Sequence, residues 1–249
     1  ETKVGLSTIN NKAGQYGSTL GFTVSQGRSI SLTLGTDTLT LYASMLRGRF
    51  TVDVPKDSTL DLLDSIFEAN GARDASFGSS FRSLYNDFGV SWEPGSWYVL
   101  GEVGQLGFSG GFLDDKVSGY LLVGHRFGKW MPFAMYTKGY TQEDGDQRRR
   151  DALSALGSFA KTSTPPVCPA TTNDTSGSAL LDAAVSRVCS YQQEQTTYTL
   201  GVRYGINSRL AAKAQVSYAT DMGDTYGTFY YPLNRDNATI VALSLDGVF

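Results

Sequence analysis

Hydrophobic and polar residues alternate with a period of two along much of this chain, a pattern that predicts strands. From Thr196 to Ile206 the even positions hold Tyr198, Leu200, Val202, Tyr204 and Ile206, and the odd positions hold Thr197, Thr199, Gly201, Arg203 and Gly205. After the short polar connection Asn207-Ser208, Leu210, Ala212, Ala214, Val216 and Tyr218 fall on one side, opposite Ala211, Lys213, Gln215 and Ser217. The run from Thr239 to Phe249 alternates again and stops on an aromatic residue. Alternation alone does not say which face is buried, because a soluble antiparallel sheet also reads apolar on one side and polar on the other. Two features favour lipid on the apolar side. The runs are about ten residues long, enough for a tilted strand to cross a bilayer, and Tyr or Trp recurs at their ends.

The connections between these runs alternate between short and long, independently of the strand pattern. Going backward, residues 221–237 form a long loop, Asn207-Ser208 a short turn, 143–195 a very long loop and Gly128-Lys129 a short turn. Residues 108–115 are a medium loop, Pro94-Gly95 a tight turn and 47–81 a long insertion, preceded by short links near Gly35-Thr36-Asp37, Gly27 and Ala13-Gly14. An up-and-down transmembrane β-barrel has this arrangement, with short periplasmic turns and longer outer loops. The expectation is one all-β domain over 1–249, built of about eleven to twelve antiparallel strands, with short helices in the long outer loops. The strand starts, near residues 3, 17, 28, 38, 84, 97, 117, 131, 196, 208 and 238, give an odd count. Either a further strand runs near Thr228-Phe229-Tyr230-Tyr231, or the chain enters part-way round a larger barrel at Glu1; the second is preferred.

Composition narrows the class. The chain has 28 Gly, 14 Tyr and 13 Phe against one His and two Cys, a balance suited to pleated surfaces and tight turns. Its longest apolar stretches fall far short of the ~18 residues a spanning helix needs, and mean hydropathy is −0.20, as a polar lumen and polar loops would give. A net charge of −3 excludes a strongly basic nucleic-acid binder as the default. No secretory leader opens the sequence, so an exported protein is expected here in mature or truncated form.

Two segments carry a more specific likeness. Ser96-Trp97-Tyr98-Val99-Leu100-Gly101-Glu102 is followed by the run from Gly119 to Phe133, which reads Gly-Tyr-Leu-Leu-Val-Gly-His-Arg-Phe-Gly-Lys-Trp-Met-Pro-Phe. Together with Thr197–Tyr204, Leu210–Gln215 and the terminal Phe249, these hairpins resemble those of the Gram-negative outer-membrane porin superfamily over roughly residues 84–249, outside the long loop. The resemblance implies a homotrimeric channel of about sixteen strands per barrel, of which this chain would be the C-terminal two-thirds. It also implies residence in the cell outer membrane of a Gram-negative bacterium, with outer-membrane lipid and lipopolysaccharide as neighbours.

If the barrel conducts, its chemistry lies on the lumen face. Alternation assigns Asp87, Glu102, Arg126, Lys138, Arg203, Lys213 and Asp246 to that face, since Arg or Lys facing lipid near the midplane would cost roughly 2 to 4 kcal/mol. Arg126, Arg203 and Lys213 lie close to short turns and are expected to form a basic patch on one wall. Two readings stand: such charges keep the lumen wet, or they favour anions. In the 47–81 insertion, Ser58-Thr59-Leu60-Asp61 fits a helix capping box. Asp57, Asp61, Asp64 and Glu68 recur at helical spacing, opposite Leu60, Leu63 and Phe67. This acidic helix either folds inward as a constriction, its apolar side against the wall, or lies solvated on the outer surface.

Cys168 and Cys189 are the only cysteines, flanking a helical run from Ala179 to Val188. In an oxidising compartment they are expected to form a disulfide worth about 3 kcal/mol, and with no accompanying His a metal site is disfavoured. Arg148-Arg149-Arg150 reads as a solvated or lipopolysaccharide-contacting cluster, with attraction of anions to the pore mouth as a weaker reading. His125, with Val123 and Phe127, reads as a lipid-facing aromatic-girdle residue. No Gly-x-Ser-x-Gly elbow, phosphate loop or metal-ligand spacing is present. The expected function is therefore a passive, cofactor-free, non-enzymatic channel for small hydrophilic solutes. A soluble or surface β-sandwich adhesin and a barrel-embedded hydrolase are the alternatives.

Overall fold

The computed structural model describes residues 2–16, 20–53, 59–72, 80–110, 115–160, 185, 188–189, 193–222, 225 and 236–247. Among the described residues, ten strands form one antiparallel sheet in strict sequence order. They are β1 (Thr2–Tyr16), β2 (Leu20–Gly35), β3 (Leu39–Asp53), β4 (Ser80–Trp92), β5 (Trp97–Phe108), β6 (Lys116–His125), β7 (Trp130–Thr141), β8 (Glu194–Gly205), β9 (Leu210–Thr220) and β10 (Ala238–Gly247). Helix α1 (Thr59–Ala69) lies between β3 and β4, and α2 (Glu143–Ala160) between β7 and β8. Each strand pairs with the one before it because the connections at one end are too short to let it go elsewhere. Trp97 N–H reaches Pro94 O at 3.2 Å, Phe127 N–H reaches Trp130 O at 2.7 Å and Ile206 N–H reaches Leu210 O at 2.9 Å. Two of these turns need a left-handed residue, supplied by Gly95 (φ 61°) and Gly128 (φ 59°).

The count differs from the expected eleven to twelve at one place. Gly27 was expected to link two strands, but β2 runs unbroken through it. Gln26 sits at φ 54°, and the β2–β3 register slips between Ser25 and Arg28, the signature of a β-bulge. Ala13-Gly14 likewise lies inside β1, where the register shifts between Ala13 and Tyr16. A bulge and a turn look alike in sequence, since both use a residue that tolerates positive φ. The run at 228–231 and Phe249 lie outside the described residues. Among the described residues β1 and β10 are edge strands, with no pairing between them.

The sheet is inside out relative to a soluble one. Leu200 is 68% exposed, Val241 70% and Leu243 81%, whereas Thr199 is 2% and Ser217 7% exposed. Ile30, Leu32, Leu34, Phe88, Val103, Leu121 and Val216 are likewise exposed on the same apolar face. The opposite, polar face makes contacts of its own, among them a buried Thr199–Ser217 hydroxyl bond of 2.8 Å. Leaving a Leu or Val in water rather than in an apolar medium forfeits about 1.5 to 3 kcal/mol each, so this face requires an apolar surrounding. The buried apolar cluster lies elsewhere, between the helices. Leu63, Ile66 and Phe67 of α1 meet Ala152, Leu153, Ala155 and Leu156 of α2, with Val185, Val188 and Cys189.

Candidate functional site: the polar face of the sheet

Register places one polar row across four strands. Tyr42 of β3 is opposite Gly89 of β4, Gly89 opposite Glu102 of β5, and Glu102 opposite Tyr120 of β6. The Glu102 carboxylate accepts hydrogen bonds from Tyr42 Oη at 2.5 Å and from Tyr120 Oη at 3.3 Å. Tyr42 reaches past a whole strand because β4 carries glycine at that point: a Cβ on Gly89 would stand 2.0 Å from the Tyr42 ring. One step along the strands, the Ser44 hydroxyl donates to Asp87, and Tyr85 leans over Gly104, where a Cβ would meet its hydroxyl at 3.0 Å. The β3–β6 wall thus presents two carboxylates held by hydroxyl donors.

The β7–β9 wall has the opposite sign. Arg203 and Lys213 are direct cross-strand partners. Phe133, 6% exposed, lies over Gly201, whose Cβ would stand 2.3 Å from the ring. Lys213 Nζ sits 5.1 Å from the centroid of that ring, a cation–π contact. Like charges directly opposite repel, so the pair generates a positive field on this wall. Arg126 does not join them. At the β6–β7 turn it pairs with Glu93 at 2.7 Å, with both side chains 40–47% exposed, and lies 5.7 Å from the Tyr98 ring centroid.

Lys138 departs from its expected face. It shares parity with Trp130, Tyr136 and Tyr140 and is exposed among them, so it stands on the apolar face near the end of β7 where long loops begin. The register sets Asp87, Glu102, Arg203, Lys213 and Asp246 on the polar face. His125 stacks edge-on against Trp97 at 4.7 Å and beside Phe127 at 4.3 Å. With Trp92, Trp130 and Tyr204 these residues form an aromatic band at the short-turn end, in which Trp92, Trp97, Phe127 and Trp130 are exposed and His125 and Tyr204 half-buried.

The loop helices also differ from expectation. Asp61 and Glu68 are exposed and Asp64 half-buried on α1, while Asp57 lies outside the described residues. The apolar side of α1 docks on α2 rather than against the sheet. Within the arginine run Arg149 is not solvated, being only 8% exposed within α2, whereas Arg150 is exposed and bonded to Gln147 at 2.8 Å; consecutive helical positions point about 100° apart. Cys189 is buried in the interhelical cluster and is not a free thiol, and Cys168 lies outside the described residues. Tyr42, Tyr120 and Gly89 were not singled out from sequence, although their parity places the two tyrosines with Glu102.

An apolar face turned outward, an aromatic band at its edge and a charged face turned inward form the wall of a barrel that crosses a membrane. A solved structure carries the same architecture. The outer membrane channel DcaP of Acinetobacter baumannii aligns with TM-score 0.52 at 7% identity, over 99% of this chain and 59% of that one. The fold is that of an outer-membrane β-barrel. Outer-membrane expressed OmpT of Vibrio cholerae aligns at TM-score 0.43 and 10% identity, over 81% of this chain and 51% of that one. The chain therefore spans only about half to three-fifths of the length of these barrel proteins. No family profile matches it, nor does any curated protein. A single meander with its apolar face exposed also rules out the β-sandwich alternative.

Proposed function

We propose that this barrel is a porin, a passive and non-enzymatic diffusion channel for small hydrophilic solutes in the outer membrane of a Gram-negative bacterium. The observation that carries the reading is the division of the sheet into an exposed apolar face and a charged polar face with two walls of opposite sign. The likeness of the fold to that of the outer membrane channel DcaP supports it. No cofactor enters the proposal. The only histidine of the sequence belongs to the aromatic band, away from the charged residues of the polar face. The polar-face residues Asp87, Glu102, Arg203 and Lys213 act as the selectivity positions, with Arg126 at the rim and Lys138 outside the lumen.

In this reading Arg203 and Lys213 attract anions. Among the described residues neither has a carboxylate partner, while Glu102 and Asp87 already accept hydroxyl donors that spread their charge. Asp61, Asp64 and Glu68, with Asp57, act as a mouth-side acidic helix. A Cys168–Cys189 disulfide staples the second loop, and the assembly is a homotrimer in contact with lipopolysaccharide. The test is planar-bilayer conductance under a salt gradient. Steps of ionic current are expected, with a reversal potential on the anion side that moves toward the cation side in Arg203→Ser/Lys213→Ser. Absence of conductance from folded protein would overturn the channel reading, and an unmoved reversal potential the role of the two cations.

A further inference from the structure

Four arginines stand where a lipid-facing wall ought to be uncharged. Arg28 and Arg47 are direct cross-strand partners on β2 and β3, and Arg49 and Arg82 are direct partners on β3 and β4. All four are exposed. Their parity is that of the apolar face: Arg28 follows Ile30, Leu32 and Leu34 on β2, Arg47 and Arg49 follow Leu41, Ala43 and Met45 on β3, and Arg82 follows Leu84, Phe88 and Val90 on β4. Among the described residues none of the four makes an ion pair. Two like-charged pairs opposite one another, two positions apart on β3, repel at close range.

Their height explains the placement. Arg47 and Arg49 lie eight and ten residues along β3 from Leu39, which pairs with Trp92 of the aromatic band. At ~3.3 Å per residue and a tilt of ~40° these positions rise about 20 and 25 Å above that band. The apolar belt of such barrels is about 25 Å tall, so the cluster sits at its far edge, at the end carrying the long loops. There an arginine costs little in lipid contact and meets headgroups. Guanidinium forks suit phosphate oxygens, which accept two parallel N–H bonds.

We propose that Arg28, Arg47, Arg49 and Arg82 form a binding site for the phosphates of an anionic lipid headgroup in the outer leaflet, whose acyl chains lie along Ile30, Leu32, Met45 and Phe88 below it. The site is distinct from the lumen and rests on the membrane-spanning fold, not on conduction. Full-chain protein in uncharged detergent is titrated with diphosphorylated lipid A, and bound lipid is counted by native mass spectrometry. At about fivefold per arginine, Arg47→Gln/Arg49→Gln lowers the affinity by roughly 30-fold, while Arg47→Lys/Arg49→Lys retains most of it.

Wild-type protein binds dephosphorylated lipid A at least about 30-fold more weakly than the diphosphorylated form, a comparison on one protein that holds even if the Gln variant fails to fold. Equal binding by the wild-type and Gln proteins, or undiminished binding of dephosphorylated lipid, overturns the site. Full displacement by millimolar inorganic phosphate would assign the cluster to free phosphate and overturn the lipid as occupant. Conductance recorded on the same samples separates this outcome from the channel question, because a non-conducting barrel that binds the lipid leaves the site standing.

Discussion

Replacing Leu200 by Arg separates a lipid-facing wall from a water-facing one by magnitude. Leu200 is 68% exposed and pairs with Ala134, four residues from the aromatic-band residue Trp130. At ~3.3 Å per residue and ~40° tilt it lies about 10 Å above that band, close to the middle of a ~25 Å belt. In water, exchanging an exposed leucine for arginine changes stability by no more than about 0.5 kcal/mol. In hydrocarbon at this depth the same change costs roughly 2 to 4 kcal/mol, a factor of about 30 to 900 in the folding equilibrium. The companion is Gln215→Arg, on the polar face opposite Gly201, expected to cost under about 1 kcal/mol. Reversible urea unfolding from vesicles, followed by tryptophan fluorescence, reads both. Equal costs for the two variants, or a Leu200→Arg cost below about 0.5 kcal/mol, would refute the assignment of faces.

Tyr42→Phe removes the 2.5 Å bond to Glu102 and is expected to cost about 1.5 kcal/mol, the lower end for a bond to a charged acceptor because the site is only half-buried; urea unfolding measures it. Gly201→Val places a side chain where a Cβ already stands 2.3 Å from the Phe133 ring and 2.9 Å from Ala214 O. It should cost about 1 to 3 kcal/mol and shift Lys213 off that ring, seen as a changed reversal potential. Phe67→Ala empties a position that is 0% exposed between the helices. It is expected to cost the helical cap about 3 to 5 kcal/mol, read as faster proteolysis of α1, with the unfolding midpoint of the strands unchanged.

Strand existence was legible because lipid outside and water inside enforce a two-residue period, which Tyr198 to Ile206 and Leu210 to Tyr218 keep without error. The failures have separate physical causes. Beside Gly27 the positive φ falls on Gln26, and sequence cannot tell a turn from a bulge that merely advances the register by one. Lys138 was misplaced because the inner face of β7 carries Met131, Phe133 and Met135, so its two faces differ little in polarity. A charged residue there cannot be assigned by the apolarity of its neighbours. The arginines of β2–β4 follow the same parity as Ile30 and Met45 and could have been found by continuing the alternation to the strand ends.

The polar face was legible as a set of charges but not as an arrangement. Glu102 and Tyr120 become partners only once β5 and β6 are in register, and Tyr42 reaches Glu102 only because Gly89 leaves the intervening strand bare. Glycines on this face therefore determine the distance over which an aromatic side chain acts, at Gly89, Gly104 and Gly201 alike. The same logic extends to the loops. The amphipathic pattern of α1 predicted the helix correctly, but amphipathicity states only that an apolar surface exists nearby, and α2 supplied it before the sheet could. Because α1 belongs to the β3–β4 connection and α2 to the β7–β8 connection, their shared core ties together two hairpins separated along the sheet. The acidic side of α1 is thereby held by a neighbouring loop, so whether its carboxylates act on a passing solute depends on that interhelical core as much as on the carboxylates themselves.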